Sequence, residues 1–161
     1  MPQIRQYQNS DRDQMFELAQ ENYAALTPVS KPVDVTQART YFEHIINIPN
    51  SGSGQLLVAE DGGQLLGFVC LLGPLAATEH EEDGEPYAFM SDLFVRESHR
   101  CQGIGGSLVS RVEDLACDMG IGKLALRVAA DDPIARRFYS RHHYDEKFVV
   151  MSKDIRRTRP A

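Results

Sequence analysis

The strongest constraint on the fold lies between residues 87 and 154, where strand-like and helix-like segments alternate. Tyr87 to Val95 is an extended, largely apolar run. Leu108, Val109, Val112, Leu115, Ala116 and Met119 then recur at helical spacing, up to Gly120, a residue suited to a helix C-terminus. Lys123 to Ala129 returns to strand character, Pro133 to Arg141 reads as a helix with proline in its first turn, and Phe148 to Met151 closes as a strand. A strand, a crossover helix and a second strand in one sheet give a parallel pair. Upstream, Gln55 to Glu60 and Gln64 to Leu72 flank Asp61-Gly62-Gly63, whose glycines supply the positive φ angles of a tight hairpin, so these two strands pair antiparallel. The expected sheet is mixed, and the class is α/β of the α+β kind.

The N-terminal third reads as a short strand, Ile4 to Tyr7, and two amphipathic helices. Ser10 is placed to cap the first, with Asp13 in its first turn and Met15, Leu18, Ala19 and Leu26 as its core stripe. Asp34-Val35-Thr36-Gln37 is close to a capping box, and Ala38, Tyr41, Phe42, Ile45 and Ile46 follow at helical spacing until Pro49. Gly73 to Pro86 carries Glu79, Glu81, Glu82, Asp83 and Glu85 without periodicity, which predicts an exposed acidic loop able to draw in a cationic amine.

With 161 residues the chain can support one core, so residues 1–155 are expected to form a single domain and 156–161 a basic tail. The net charge of −6 supplies no basic field for a phosphate backbone, which argues against nucleic acid. No apolar run approaches the ~20 residues a bilayer span needs, and the N-terminus lacks a signal-peptide core. Cys70, Cys101 and Cys117 are odd in number and lack metal-site spacing, so free thiols and a cytoplasmic location are expected.

Arg100-Cys101-Gln102-Gly103-Ile104-Gly105-Gly106-Ser107 joins the 87–95 strand to the best helix of the chain. There the main-chain N–H groups and the positive helix end can converge on an anion, and a Cβ at Gly103 or Gly105 would hold a diphosphate away from the backbone. No Lys-Ser or Lys-Thr follows the second glycine, which excludes a Walker loop, and Leu108 stands where a Rossmann fingerprint needs its third glycine.

The Arg100-x-x-Gly103-x-Gly105 pattern resembles the acyl-CoA diphosphate motif of the GCN5-related N-acetyltransferase (GNAT) family. Ser91-Asp92-Leu93-Phe94-Val95 sits where that family has its bulged fourth strand. Asp132-Pro133-Ile134-Ala135-Arg136-Arg137-Phe138-Tyr139 is similar to its Asn-x-x-Ala-x-x-Phe-Tyr segment, and His143-Tyr144 takes the place of its Gly-Phe. Asp132 replaces the usual Asn, His143 a glycine, and Ser91 the general-base Glu of many relatives. The resemblance runs from about Tyr87 to Ile155. It implies a mixed, mostly antiparallel sheet of about six or seven strands with about four flanking helices and a parallel pair splayed at the cofactor site.

It further implies acetyl-CoA as co-substrate and no metal. The diphosphate would rest on Arg100, Cys101, Gln102, Gly103, Ile104, Gly105, Gly106 and Ser107, the pantetheine on the main chain of Leu93, Phe94 and Val95, with Asp132 and Arg136 also on the cofactor side. Transfer to an amine would be direct, and Tyr139 takes the general-acid position. An alkylamine of pKa ~10.4 is neutral only about once in a few thousand at pH 7, so a base is needed, from Asp92, Glu85 or a water held by Ser91. Along a regular strand the Asp92 side chain points away from the face that Ser91 occupies. The expected acceptor is a small cationic primary amine such as a polyamine or aminoglycoside, and the resemblance leaves a homodimer open. Two other activities fit the same motif, a non-catalytic acyl-CoA sensor and a peptide or protein N-acetyltransferase. A nucleotide-binding protein is a third reading of the loop.

Overall fold

A computed structural model describes residues 1–77 and 84–155, which divide into two compact units, Met1–Arg127 and the segment from Val128 onward. The Glu79 to Asp83 acidic cluster and the basic tail fall outside the described residues. The first unit runs β1 (Gln3–Gln6), α1 (Arg12–Leu26), α2 (Val35–Asn47), β2 (Gly54–Asp61), β3 (Gln64–Leu75), β4 (Tyr87–Val95), α3 (Ile104–Asp118) and β5 (Leu124–Leu126). Its five strands form one sheet in the order β1-β2-β3-β4-β5, antiparallel throughout except for the parallel β4–β5 pair. Gly62 and Gly63 turn the β2–β3 hairpin with φ of +56° and +83°, the primed geometry that matches strand twist.

Alternation along the strands loads both faces. Leu56, Val58, Phe68 and Cys70 join Met15, Leu18, Phe42 and Ile45 in one buried cluster beneath α1 and α2. Leu57, Val69 and Leu71 point the other way, and α3 packs on that part of the sheet with Leu108, Val109 and Val112 buried. Asp34 caps α2 by accepting from Thr36 N at 2.8 Å and Gln37 N at 3.2 Å, as its sequence predicts. No helix among the described residues is long and apolar enough to cross a membrane.

Several expectations need correction. Ser10 does not cap α1. The helix follows a 3-10 turn at Asn9–Asp11, because Asp11 is committed to holding Arg5. Leu26 leaves the α1 stripe and is exposed, while Asn22 takes the buried position one turn earlier. β3 continues through Leu75, into the segment expected to be loop, and the 123–129 strand shrinks to β5. Phe148 to Met151 forms no strand and is exposed, leaving five strands among the described residues against six or seven expected. An aromatic residue and two β-branched valines supply strand propensity there, but a strand exists only where a partner takes its hydrogen bonds.

Arg5 ties the N-terminal strand to the start of α1. Its Nη1 and Nη2 donate to the two Asp11 carboxylate oxygens at 2.7 and 2.8 Å, its Nε donates to Glu60 at 2.6 Å, and Gln8 N also donates to Asp11, at 2.8 Å. The Arg5 hydrogen bonds hold the Asp11 carboxyl below its ordinary range, against burial, which raises it. A depressed native pKa makes this contribution complete above the unfolded value of ~3.9 and removes it as pH falls through the native value. The melting temperature should therefore drop below about pH 4. Asp11→Asn should lose about 2 kcal/mol at pH 7 and flatten that acid limb, and an equally steep limb in the variant would assign the acid sensitivity elsewhere.

The second unit contains α4 (Pro133–Arg141), opened by Asp132, which accepts from Ala135 N at 2.9 Å. Both α3 and α4 end in the same backbone motif. In α3, Ile121 N reaches Ala116 O and Gly120 N reaches Cys117 O, both at 2.9 Å, with Gly120 at φ +74°. In α4, Tyr144 N reaches Tyr139 O at 3.0 Å and His143 N reaches Ser140 O at 3.1 Å, with His143 at φ +65°. A histidine in this left-handed position carries a Cβ cost that glycine does not. His143→Gly is expected to stabilise the chain by about 1 kcal/mol in urea denaturation, and a loss of stability would show that the imidazole makes a compensating contact.

Candidate active site

The 96–107 segment leads from β4 into α3 through two left-handed residues. After a 3-10 turn at Glu97–His99 the chain passes through Cys101 at φ +60° and Gly103 at φ +83° before entering α3. The helical ladder opens with Ser107 N donating to Gly103 O at 3.0 Å, and Ser107 Oγ adds a second bond to the same oxygen at 3.1 Å. The N–H groups of Ile104, Gly105 and Gly106 precede that first rung, so no carbonyl of α3 is available to them. They stand at the positive end of a fifteen-residue helix.

Arg100, expected to face phosphate, has its Nε on Val95 O at 2.9 Å and its guanidinium 5.7 Å from the Phe94 ring centroid. It braces the end of β4. Gln102 donates to Ser98 O at 3.3 Å, and Cys101 is exposed.

The strand leading into this segment has two irregularities that matter chemically. Cys70 of β3 faces Asp92 while Leu71 faces Met90, so Ser91 is the extra residue of a β-bulge. The bulge breaks the regular alternation that would separate Ser91 from Asp92. Instead Ser91 Oγ donates to Asp92 Oδ2 at 2.9 Å. The second irregularity is that β5 pairs with β4 only as far as Leu126 opposite Met90. Ser91 to Val95 therefore continue beyond the end of the parallel partner, and the strand leaves main-chain groups open on that edge toward the start of α3.

Asp92 is tied to α2. Tyr41 Oη donates to Asp92 Oδ1 at 2.5 Å, and Asn22 Nδ2 donates to Tyr41 Oη at 2.6 Å. Burial, reinforced by the Asp92 carboxylate, pushes the Tyr41 phenol well above its ordinary range, and burial does the same to the Cys70 thiol. Tyr41 also lines a cleft of about 740 Å³ between α1 and α2, with Tyr23, Leu26, Pro28, Val33 and Gln37 among its other walls. Sequence periodicity placed Tyr41 in a core stripe. The one signal for more was a hydroxyl tip on an otherwise apolar face. Glu85, another candidate base, lies apart from this cleft around a cavity of about 390 Å³ with Pro86, Gly120, Gly122 and Lys123.

Within the second unit, Tyr139 packs edge-on against Phe138 at 5.0 Å and Tyr144 at 5.7 Å between ring centroids. Burial first and the Asp132 carboxylate second push its phenol up to about 12. Arg136, expected on the cofactor side, donates from Nε to Glu146 at 2.8 Å.

A strand bulged at the residue before its carboxylate, extending past the end of its parallel neighbour and leading into a glycine-bearing helix start, defines an acyl-CoA-type transferase architecture. The model of the acetyltransferase (GNAT) family matches residues 12–144, and the chain belongs to that family. A Bacillus subtilis (strain 168) protein named uncharacterized N-acetyltransferase YycN is 35% identical over 78 residues, 47% of this chain and 50% of that one. The chain thus spans about half the length of that relative. Among solved structures, a putative acetyl transferase from Pyrococcus furiosus superposes with a TM-score of 0.74 at 24% identity, covering 96% of this chain and 100% of that one. The aminoglycoside N-acetyltransferase AAC(6')-Iy in complex with CoA gives 0.77 at 15% identity, covering 96% of this chain and 95% of that one. At these identities the two structures establish the fold.

Proposed function

We propose that the chain is an acetyl-CoA-dependent N-acetyltransferase acting on a primary amine of a small molecule. The observation that carries the reading is the cradle: three N–H groups ahead of the first rung of α3, at the end of a strand whose edge β5 leaves open after Met90. The diphosphate of acetyl-CoA sits on the amides of Gln102 to Gly106, beside the Ser107 side chain, with the Arg100 Nη groups alongside. The pantetheine amides pair with Leu93, Phe94 and Val95 as an added strand would. This arrangement carries the thioester toward the bulge at Ser91 and Asp92. The presence of CoA in the AAC(6')-Iy structure supports the coenzyme.

The chemistry follows from these groups. The amine nitrogen attacks the thioester carbonyl, and a main-chain N–H of β4 at the bulge steadies the oxyanion. The C–S bond breaks and CoA leaves as thiolate, and the resemblance of residues 132–139 to the family's segment assigns Tyr139 the hydrogen bond to its sulfur. Asp92, oriented by Ser91, is the base on which the amine's proton ends. No step in this sequence requires a metal. Calorimetry with CoA and acetyl-CoA, followed by detection of free thiol with a panel of amines, tests the reading. Binding of both coenzymes and amine-dependent thiol release are expected. Absence of coenzyme binding would remove the proposal, and binding without thiol release from any amine would make the protein an acyl-CoA sensor.

A further inference from the structure

We infer that Tyr41 is the residue that receives the acceptor: its phenol oxygen takes an N–H of a monoamine whose apolar body occupies the α1–α2 cleft, and Asp92 acts on the acceptor through Tyr41. This inference rests on the transferase reading and narrows its substrate class.

The hydrogen-bond directions are forced. A carboxylate only accepts, so the 2.5 Å contact has Tyr41 donating its single proton to Asp92 Oδ1. With that proton committed, the 2.6 Å contact to Asn22 requires the amide to present its NH2, so Asn22 fills one of the two acceptor sites on the phenol oxygen. One lone pair remains. Because the phenol keeps its proton and that proton is held by Asp92, Tyr41 can offer a ligand an acceptor but no donor. Its oxygen is made more electron-rich by the carboxylate behind it. An ammonium or amine N–H complements this atom in a charge-assisted bond, whereas a carbonyl or ether oxygen finds no proton there.

The cleft that Tyr41 lines sets the rest of the ligand. Its volume of about 740 Å³ suits a small organic molecule, and Leu26, Pro28, Pro32 and Val33 give it apolar walls. Lys31 and Asp34 are the charged residues of its lining and their formal charges cancel. No fixed negative charge of the wall is left to reward a second ammonium, and Asp92 behind Tyr41 supplies the negative charge for one.

The probe is 2-phenylethylamine, an amine with an apolar body, compared with its near-isostere 2-phenylethanol. Binding of each is measured on the full chain saturated with CoA, in the parent protein, Tyr41→Phe and Asp92→Asn. The parent should hold the amine at least 10-fold more tightly than the alcohol. Tyr41→Phe should lose at least 10-fold in amine affinity, with alcohol and acetyl-CoA affinities changed less than 3-fold. Asp92→Asn, which keeps a hydrogen-bond partner for Tyr41, should bring the amine-to-alcohol ratio to within about 3-fold of one, and it decides the matter should Tyr41→Phe fail to fold. An amine bound no better than the alcohol in the parent, or an unchanged ratio in both variants, overturns the inference. If acetyl-CoA binding and thiol release persist with other amines in either case, the transferase reading survives that result.

Discussion

Gly103→Val is expected to weaken acetyl-CoA binding by at least about 100-fold while leaving the protein folded. Gly103 caps α3 at φ +83°, and a Cβ built there meets no atom within 4 Å, so the position has room for a β-carbon. Its cost is conformational: a β-branched residue is strongly disfavoured in the left-handed region, by about 1–3 kcal/mol. The peptide relieves that strain by rotating out of the region, which turns the N–H groups of Gly103 and Ile104 away from a shared anion. Losing two charge-assisted bonds at ~1.5–3 kcal/mol each gives the stated factor. Gly122→Ala is the control, because Gly122 lies beyond the C-terminal end of α3, outside the 96–107 segment, and a Cβ built there meets no atom within 4 Å. It should bind acetyl-CoA within about 3-fold of the parent. Calorimetry reads both variants, and thermal melting without ligand confirms the fold. Should Gly103→Val bind normally, the diphosphate rests somewhere other than these amides.

The features legible in the sequence are those whose cause is local. The Gly62-Gly63 turn, the Asp34 cap and the Gly120 helix end each depend on a few adjacent residues, and each is found where the residues put it. The start of α3 is of the same kind, since a strand, two glycines and a helix start are contiguous, and the helix opens at Ile104. What was not legible depends on pairing between distant segments. The bulge at Ser91 is a property of β4 against β3, so strand alternation, applied to β4 alone, separated two side chains that in fact touch. Tyr41 and Asp92 are 51 residues apart, and nothing in either segment announces the other. The Phe148 to Met151 run shows the converse, strong local propensity with no strand formed. Asp132, by contrast, makes a local capping bond that an asparagine could make as well, accepting from the third residue of α4.

Tyr139→Phe should lower kcat by about 300-fold and leave acetyl-CoA affinity within about 3-fold, because on the proposed reading the hydroxyl matters only when negative charge develops on sulfur. Removal of one preorganised donor to such a charge costs about 100- to 1,000-fold in other systems. The pKa of about 12 decides what kind of donor Tyr139 is. Full transfer of its proton to a thiolate whose acid has pKa ~8.5 would run uphill by about 5 kcal/mol, whereas a hydrogen bond to the thiolate needs no such transfer. CoA then departs as thiolate and takes its proton from water. The same pKa fixes the pH signature. A raised value keeps the phenol protonated, and the donor in place, across the whole neutral and moderately alkaline range, so kcat should show no tyrosine-dependent fall up to about pH 10. A descending limb near pH 9 that vanishes in Tyr139→Phe would mean that the phenol ionises in the working complex and acts as a true general acid. A variant with unchanged kcat would remove Tyr139 from the chemistry and leave it as the aromatic packing partner of Phe138 and Tyr144.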